Sequence, residues 1–488
     1  MSIKTQAIKG TAWSAIEKFA LLGVQFILQI ILARLLTPAD YGIVAMLAIF
    51  IALSNTFIDC GFSSFLIQNQ KRTEIDFSTA FYFNIGASLI CYGILFFAAP
   101  YIAVFYNMPI LTKVTRVLTL SLPISAIAAV NRAKLQINID FKTQMKSTFT
   151  SVILSGIIGI YLAYNGFGVW ALVAQMVLNS MFNTILLFIL VRWFPSEKFS
   201  LDSFKRMYSF GIKLLFSSLL DTFYFNIYPM ILGKFYSAHN LGIFSRAYHF
   251  AVMPTNIFIG IFSRVIFPLL SKVNDDLNKM VQIHRKYLRL TTAIFVPIVL
   301  VLCAIAHPLI IILIGEKWID SIPLLQILCF ACIFDTVINV NTQALLAKGC
   351  TNLVLKMNIV KKIFAFIILF SSIKFGLIVV CLGKVLYEQV STIITVYYAK
   401  KVLNIGYFKQ IKDILPICLV SIISVSFAYI VTFLNINNFL QLIIAVPVAT
   451  IVYILLAYIF KFEIITEAIN LFNVLKNKFL QKNKEGFI

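Results

Sequence analysis

Residues 34–43 have the sequence RLLTPADYGI, and residues 234–243 have the sequence KFYSAHNLGI. The two stretches share a basic first residue, a Ser or Thr, an Asp or Asn, and the pair Gly-Ile, in the same order and at the same spacing. Each stretch joins two long apolar runs, so we predict that each is the turn between the first and second helix of a repeated unit. An internal repeat of this kind is typical of transporters built from two similar halves.

Outside these turns the chain is strongly apolar. Of its 488 residues, 60% are hydrophobic and 12% are charged, and the mean hydropathy is +0.93. A water-soluble fold cannot bury so much apolar surface, which indicates a membrane protein. The apolar runs are continuous and do not alternate with polar residues, so they predict helices and exclude a transmembrane barrel. We expect an all-α membrane protein.

The apolar runs give about fourteen transmembrane helices, at about 20 residues for each crossing. The predicted spans are 11–34, 41–60, 79–105, 114–133, 147–164, 168–192, 209–232, 240–268, 287–313, 320–346, 354–374, 377–399, 412–434 and 439–460.

The repeat divides these helices into two six-helix lobes. We predict an N-lobe at 1–200, containing helices 1–6, and a C-lobe at 201–402, containing helices 7–12. Two additional helices occupy 403–462, and a basic amphipathic cytoplasmic tail occupies 463–488. The substrate path is expected between the lobes.

The basic residues predict the orientation of the helices. With the N-terminus inside, 30 of the 41 Lys and Arg residues fall on the cytoplasmic side and six on the other side. Because Lys and Arg near span ends are retained in the cytoplasm, we predict a multi-pass protein of the bacterial inner membrane with both termini cytoplasmic. The same bias accounts for the net charge of +22 without a nucleic-acid partner.

No feature of the sequence indicates catalysis. The external connections are short, which leaves no room for the periplasmic domain of a membrane glycosyltransferase or polymerase. Cys329 and Cys332 have CxxC spacing, but no His or second Cys pair lies nearby, so we interpret them as core residues. We predict that the protein is not an enzyme and holds no metal or cofactor.

The stretch 34–46, RLLTPADYGIVAM, together with residues 233–277, resembles the polysaccharide transporter family of Wzx-type flippases, in particular its WzxC-like members. This family lies within the multidrug/oligosaccharidyl-lipid/polysaccharide exporter superfamily. The resemblance implies a MATE-like, V-shaped bundle that flips undecaprenyl-pyrophosphate-linked oligosaccharide repeat units to the periplasmic leaflet by alternating access, for O-antigen, capsule or exopolysaccharide synthesis. Implied partners are the lipid-linked oligosaccharide, the bilayer, H⁺ or Na⁺, and the polymerase and chain-length proteins of the pathway.

Basic residues inside the predicted spans are candidates for binding the anionic head group. Phosphate oxygens accept charge-assisted hydrogen bonds well from Arg and Lys, and a charge in the membrane normally faces a cavity or a partner. The candidates are Lys18, Lys213, Arg246, Arg264 and Lys384. A structural role stays open for Lys384, which could pair with Glu388, and snorkelling stays open for Lys213 and Arg264.

Acidic residues in the spans are candidates for ion coupling. Asp221, Asp335 and Glu388 could bind a proton or Na⁺ and so couple its gradient to the conformational change. Salt bridges between helices are the competing interpretation. A cation-coupled drug or metabolite exporter of the same superfamily is the alternative function; the number of intramembrane basic residues argues against it.

Overall fold

The computed structural model describes residues 21–434 and 436–463 of the chain. Throughout these residues the backbone is helical, with short connecting turns and no strand. The predicted all-α class is therefore confirmed.

The α-helices of the described residues are numbered in chain order. They are α1 (Leu21–Leu35), α2 (Pro38–Asp59), α3 (Phe62–Gln68), α4 (Glu74–Tyr106), α5 (Ile110–Leu118), α6 (Ser121–Ile127), α7 (Ala129–Ile137), α8 (Phe141–Tyr164), α9 (Val169–Val191), α10 (Leu201–Phe235), α11 (Ala238–Lys272), α12 (Leu277–Ala304), α13 (Ala306–Leu313), α14 (Ser321–Cys332), α15 (Asp335–Ala347), α16 (Thr351–Ser372), α17 (Leu377–Leu403), α18 (Tyr407–Val431) and α19 (Asn438–Ile459).

Among the described residues, 11 helical stretches are long and apolar enough to cross a membrane. The other three predicted spans correspond to α1, which is short in its described part, to α10, which is less apolar, and to α16, which contains three lysines. Within the described residues, every predicted span coincides with helix; residues 11–20 of the first span lie outside them. The total of fourteen crossings stays a prediction.

Several predicted spans are interrupted. The span predicted at 114–133 consists of α5, α6 and α7, and hydroxyl groups bond to backbone carbonyls at its breaks. Thr119 Oγ1 donates to the Thr115 carbonyl at 2.7 Å, and Ser121 Oγ donates to the Leu118 carbonyl at 2.7 Å. Such bonds compete with the regular helical ladder, which explains why a continuous apolar run does not form one straight helix.

The described chain forms two compact units, and the boundary between Ser245 and Arg246 falls inside α11. In the first unit α2 packs on α10 and α4, and α8 packs on α9. In the second unit α12 packs on α18, and α17 packs on α14, α15 and α16. Contacts therefore group α10 with the first unit, whereas the predicted lobes divide at residue 200; the lobe boundaries stay a prediction.

The two repeated turns have the same local structure. Thr37 and Asp40 form a capping box at the start of α2, with Thr37 Oγ1 donating to Asp40 Oδ2 at 2.6 Å. At the start of α11, the Asn240 amide donates to Ser237 Oγ at 3.2 Å. The aligned hydroxyl residues therefore both cap a helix N-terminus, which gives the repeat a physical basis.

The repeated turns also contact each other within the first unit. A Cβ atom added to Gly42 would lie 1.8 Å from the Ala238 carbonyl oxygen, and one added to Gly242 would lie 1.8 Å from the Pro38 carbonyl oxygen. The repeat aligns residue 38 with 238 and residue 42 with 242. The contact of Gly42 with Ala238 therefore corresponds to the contact of Gly242 with Pro38. The turns thus pack backbone to backbone about a local two-fold relation, and glycine is required at both positions.

Large apolar side chains cover the outside of the helices. On α4, for example, Ile90, Phe97 and Tyr101 are 65%, 75% and 78% exposed. Soluble monomers rarely expose contiguous apolar surface of this kind. Together with the apolar spans, this surface indicates helices that face lipid.

Candidate functional site

The five predicted head-group residues differ in their surroundings. Lys18 and the side chain of Lys213 lie outside the described residues. Arg246 is buried in α11, with 7% of its surface exposed, and it interacts electrostatically with His249. Arg264, further along the same helix, is exposed. Lys384 is largely buried in α17, and of these candidates it is the one whose partners are best defined.

Lys384 forms an ion pair within its own helix. Its Nζ atom lies 2.7 Å from Glu388 Oε1, and the two side chains are 17% and 12% exposed. The same Nζ atom lies 4.7 Å from the centroid of the Tyr387 ring. The i,i+4 pairing that the sequence left open is therefore present, and a head group binding Lys384 would have to compete with Glu388.

The pair belongs to a larger group of charges, the charge cluster, which consists of Asp335, Lys361, Lys384 and Glu388. Asp335 lies close enough to Glu388, Lys384 and Lys361 to interact electrostatically with all three. Its members come from α15, α16 and α17, which pack against one another in the second unit. The structure thus brings two predicted coupling residues, Asp335 and Glu388, together with the predicted head-group residue Lys384.

Asp335 lies at a break in a candidate span. The span Ser321–Ala347 is divided into α14 and α15, and Asp335 is the first residue of α15. The N-terminus of a helix carries partial positive charge and favours a carboxylate. The break therefore helps to stabilise Asp335 near the middle of an apolar segment, in a way that an unbroken helix would not.

Lys361 is the member of the cluster that sequence reasoning missed. It was counted among the cytoplasmic basic residues, but it lies in the middle of α16 and only 7% of its surface is exposed. It interacts electrostatically with Glu388 and Asp335. Its position midway along a 22-residue helix could have indicated a buried charge. A lysine there cannot easily extend its side chain to either end of the helix.

The charge cluster is formally neutral, with two carboxylates and two ammonium groups. Neutrality lowers the cost of placing charges in an apolar interior, because the repulsion between like charges is offset by attraction between opposite ones. A proton added to either carboxylate, or an anion bound to either lysine, would disturb this balance. The cluster can therefore respond both to protons and to anions.

Polar and sulfur-containing side chains surround the cluster. Tyr248 of α11 interacts electrostatically with Lys384, Asp335 and Glu388. One turn beyond Asp335 on α15, Asn339 Oδ1 accepts a hydrogen bond of 3.1 Å from Ser263 Oγ. Cys332 is buried, and its Sγ atom donates to the Ala251 carbonyl at 3.6 Å. The buried surroundings of Cys332 agree with its predicted core role.

Asp221, the third predicted coupling residue, lies on α10 in the first unit, and it is exposed. The structure therefore does not place it in the charge cluster. Its role in coupling stays a prediction.

The first unit contains a cavity of about 400 Å³, called here the polar cavity. Its polar lining comes from α2, α3, α4, α6 and α7: Asn55, Asp59, Ser63, Asn84, Ser125, Arg132 and Gln136. Asp59 accepts a hydrogen bond from Ser63 Oγ and interacts electrostatically with Arg132. Arg132 also donates to the Ser125 carbonyl at 2.7 Å.

A second cavity of about 350 Å³ adjoins the polar cavity and shares Asn55 and Asp59 with it. Its other side is formed by α10, through Leu214, Leu215 and Ser218. Sequence reasoning placed Arg132 among cytoplasmic basic residues and did not single out Asn55 or Asn84. These residues become neighbours only when the helices pack, so no local pattern could have revealed the cavity.

Two ion-pair groups fix the helices around the polar cavity. At the start of α4, Asp76 is 1% exposed, accepts a hydrogen bond from Ser203 Oγ and lies 3.0 Å from Arg206. Glu74 pairs with Lys134 at 2.8 Å. These contacts tie α4 to α7 and α10, so the cavity wall is built from connected helices.

Comparison with known families identifies the class of protein. Residues 31–323 match the family described as "Polysaccharide biosynthesis protein". This match covers more than half of the chain, so the chain belongs to that family. The family predicted from the motifs at 34–46 and 233–277 is confirmed.

Individual relatives agree with this membership. The chain is 27% identical over 423 residues to the lipopolysaccharide biosynthesis protein WzxC of Escherichia coli (strain K12), covering 85% of each chain. It is 24% identical over 324 residues to the succinoglycan biosynthesis transport protein ExoT of Rhizobium meliloti (strain 1021), covering 66% of this chain and 65% of ExoT.

A solved structure of similar fold is that of the lipid II flippase MurJ in an inward closed conformation. The TM-score is 0.76 at 16% identity, with 93% of this chain and 99% of the MurJ chain covered. At this identity the likeness shows the fold alone. The fold is also similar to that of a multidrug resistance MATE family transporter in an inward-facing conformation, with a TM-score of 0.61 at 15% identity and with 79% of this chain and 94% of that chain covered, which supports the MATE-like class of helical bundle predicted from the sequence.

Proposed function

We propose that this protein is a flippase that moves undecaprenyl-pyrophosphate-linked oligosaccharide repeat units from the cytoplasmic to the periplasmic leaflet of the bacterial inner membrane. Transport would occur by alternating access between a lobe at 1–200 and a lobe at 201–402, with both termini in the cytoplasm. Membership of a polysaccharide biosynthesis family supports the pathway. The similarity to ExoT, a succinoglycan biosynthesis transport protein, supports a transporter and not a catalyst.

The observation that carries the proposal is the burial of basic side chains in apolar helices. Three basic side chains are largely buried: Arg246, Lys361 and Lys384. Each lies in a helix whose outer side carries exposed apolar residues. Buried cations in a membrane are costly unless they serve a partner or a ligand. An anionic lipid head group is a ligand of suitable charge for such cations.

The proposed roles divide between head group and coupling ion. Arg246 would bind the pyrophosphate, because it is buried and its guanidinium can donate two parallel hydrogen bonds to phosphate oxygens. Lys18, Lys213, Arg264 and Lys384 would supply further positive charge along the path. Asp221, Asp335 and Glu388 would couple transport to H⁺ or Na⁺.

Substitution of Arg246 tests this proposal. Loss of a charged hydrogen bond costs about 1.5–3 kcal/mol, or roughly 10- to 150-fold in affinity. We expect Arg246→Ala to cripple the formation of surface polysaccharide in a flippase-deleted host, Arg246→Lys to retain part of it, and Arg246→Glu to abolish it. The matched control is Lys374→Ala, an exposed residue of the short helical turn Ile373–Phe375, which should behave like wild type.

Membrane abundance of each variant is measured by immunoblot, because a buried residue is replaced. Flipping of the purified lipid-linked repeat unit in proteoliposomes separates transport from later steps of synthesis. Normal polysaccharide from an Arg246→Glu protein present at wild-type abundance would remove this residue from the head-group site. A wild-type protein that fails to flip the lipid in proteoliposomes would contradict the proposed function itself.

A further inference from the structure

The polar cavity contains a buried hydrogen-bonding group that the packing of the first unit does not use. Asn84 is 2% exposed, and its Oδ1 atom accepts no hydrogen bond from the described residues. The residue lines the polar cavity. A buried acceptor without a partner costs about 1–3 kcal/mol, and a ligand in the cavity that reached Oδ1 would remove this cost.

The rest of the lining offers both hydrogen-bond donors and hydrogen-bond acceptors to a ligand. Asn55 and Gln136 are exposed in the wall of the cavity, and each side-chain amide offers an acceptor and two donors. Asp59 has about four acceptor positions, and Ser63 occupies one. Arg132 has five N–H donors, and the Ser125 carbonyl accepts from one of them.

The charges of the cavity select against an ionic ligand. Asp59 and Arg132 interact electrostatically, and their formal charges cancel. A pyrophosphate entering the cavity would meet the carboxylate, and a metal cation would meet the guanidinium. A neutral molecule rich in hydroxyl groups is repelled by neither the carboxylate nor the guanidinium group.

Planar groups that present two hydrogen-bonding atoms side by side suit vicinal hydroxyls. Amides, carboxylates and guanidinium groups all have this geometry, and the cavity combines the three types. Its volume of about 400 Å³ lies at the lower end of the range of about 300–1,000 Å³ for small-molecule sites. It therefore suits one or two sugar rings and not a complete repeat unit.

We propose that the polar cavity binds a sugar residue of the transported glycan. This proposal rests on the proposed function and adds a glycan subsite, in the first unit, to the head-group residues already named. Asn55, Asn84 and Gln136 would contact sugar hydroxyls directly, and the Asp59–Arg132 pair would accept and donate at opposite sides of the ring.

The test measures binding of free sugars to the full-length protein in nanodiscs by saturation-transfer difference NMR. The probes are methyl α-glucoside, methyl α-galactoside, N-acetylglucosamine and glucuronate, with inorganic pyrophosphate as a competitor. We expect a saturable signal from at least one sugar, and no displacement by pyrophosphate. Asn55→Ala and Gln136→Ala should each weaken that binding about 2- to 10-fold, the loss of one neutral hydrogen bond.

The matched control is Asn138→Ala, an exposed amide just beyond α7 that does not line the cavity, and its binding should equal that of wild type. Because Asn55 and Gln136 are exposed, their truncation leaves the packed core intact, whereas Asn84→Ala is interpreted only alongside a thermal unfolding curve. The proposal is overturned if no sugar gives a saturable signal, if both cavity variants bind as wild type does, or if pyrophosphate displaces the sugar.

The same wild-type preparation is assayed for flipping of the lipid-linked repeat unit. A protein that flips the lipid but binds no free sugar overturns the glycan subsite and leaves the proposed function in place. A protein that binds sugar in the cavity but moves no lipid overturns the proposed function and leaves the subsite.

Discussion

Replacing Gly42 by alanine should separate the two repeated turns. The added Cβ atom would lie 1.8 Å from the Ala238 carbonyl oxygen and 2.6 Å from its carbonyl carbon, whereas ordinary contacts begin at 3.4 Å. The obstacle is backbone and not a flexible side chain, so the two turns must move apart by about 1.6 Å. The substitution Gly242→Ala should have the same effect, because its Cβ atom meets the Pro38 carbonyl oxygen at the same distance.

The expected cost follows from the geometry of the contact. Overpacking a well-packed site costs typically about 1–3 kcal/mol, and we expect the upper end because neither backbone can rotate away. Small residues at helix contacts are also the main source of close packing in membranes. Thermal unfolding of the purified protein in detergent should show a drop in Tm of several degrees for either variant, together with reduced membrane abundance.

The matched control is Gly86→Ala, a glycine inside α4 with no atom within 4 Å of the added methyl group. Alanine stabilises a helix interior by about 0.5–1 kcal/mol relative to glycine, so this variant should shift Tm slightly upward. Once the first methyl group has separated the turns, the second costs less, so Gly42→Ala/Gly242→Ala should lose less than the sum of the single variants. A Gly42→Ala protein with wild-type Tm and abundance would refute the close contact.

Three further predictions concern charge and topology. Glu388→Met and Lys384→Met should each destabilise the protein, by up to about 3–5 kcal/mol, because each breaks the ion pair and leaves the charge cluster with one excess buried charge. The double variant keeps the cluster neutral and should recover part of the lost Tm; equal Tm values in all three would contradict a buried pair. Asp335→Asn should leave an inserted protein whose flipping in proteoliposomes ignores an imposed H⁺ or Na⁺ gradient, and an unchanged response would return this residue to a structural role. In a cysteine-free background, an impermeant thiol reagent applied from outside should label a cysteine at Ser237 and not one at Lys142, and the opposite pattern would invert the topology.

The repeat could be recognised from the sequence because its signals are local. A capping side chain, a hydroxyl or a carboxylate, lies three residues before the free backbone amide that it binds. The pairs can therefore be recognised from sequence spacing alone: Thr37 with Asp40, and Ser237 with Asn240. Glycine at 42 and 242 is equally visible. The sequence did not show that the two turns touch. Residues 38 and 242 become neighbours only when the helices between them pack in the first unit.

The charge cluster was predictable in part for the same reason. Lys384 and Glu388 are four residues apart on one helix, so their pairing could be anticipated from helical geometry. Asp335 and Lys361 join them from other helices, and periodicity within one helix says nothing about which neighbours it will meet.

The composition of the charge cluster connects the two roles that were assigned separately to its members. In the proposed mechanism, a pyrophosphate that pairs with Lys384 would displace Glu388 from its partner. The displaced carboxylate is then unpaired in a poorly hydrated interior, and uptake of a proton removes that cost. Binding of the anion would therefore raise the affinity for the proton. Binding of the proton would raise the affinity for the anion by the same factor, since a coupling free energy is the same in both directions. A cluster with lysines alone would bind the head group without sensing the gradient, and one with carboxylates alone would sense the gradient without binding the head group. In this proposal, the combination of both would allow one group of side chains to couple the proton to the lipid.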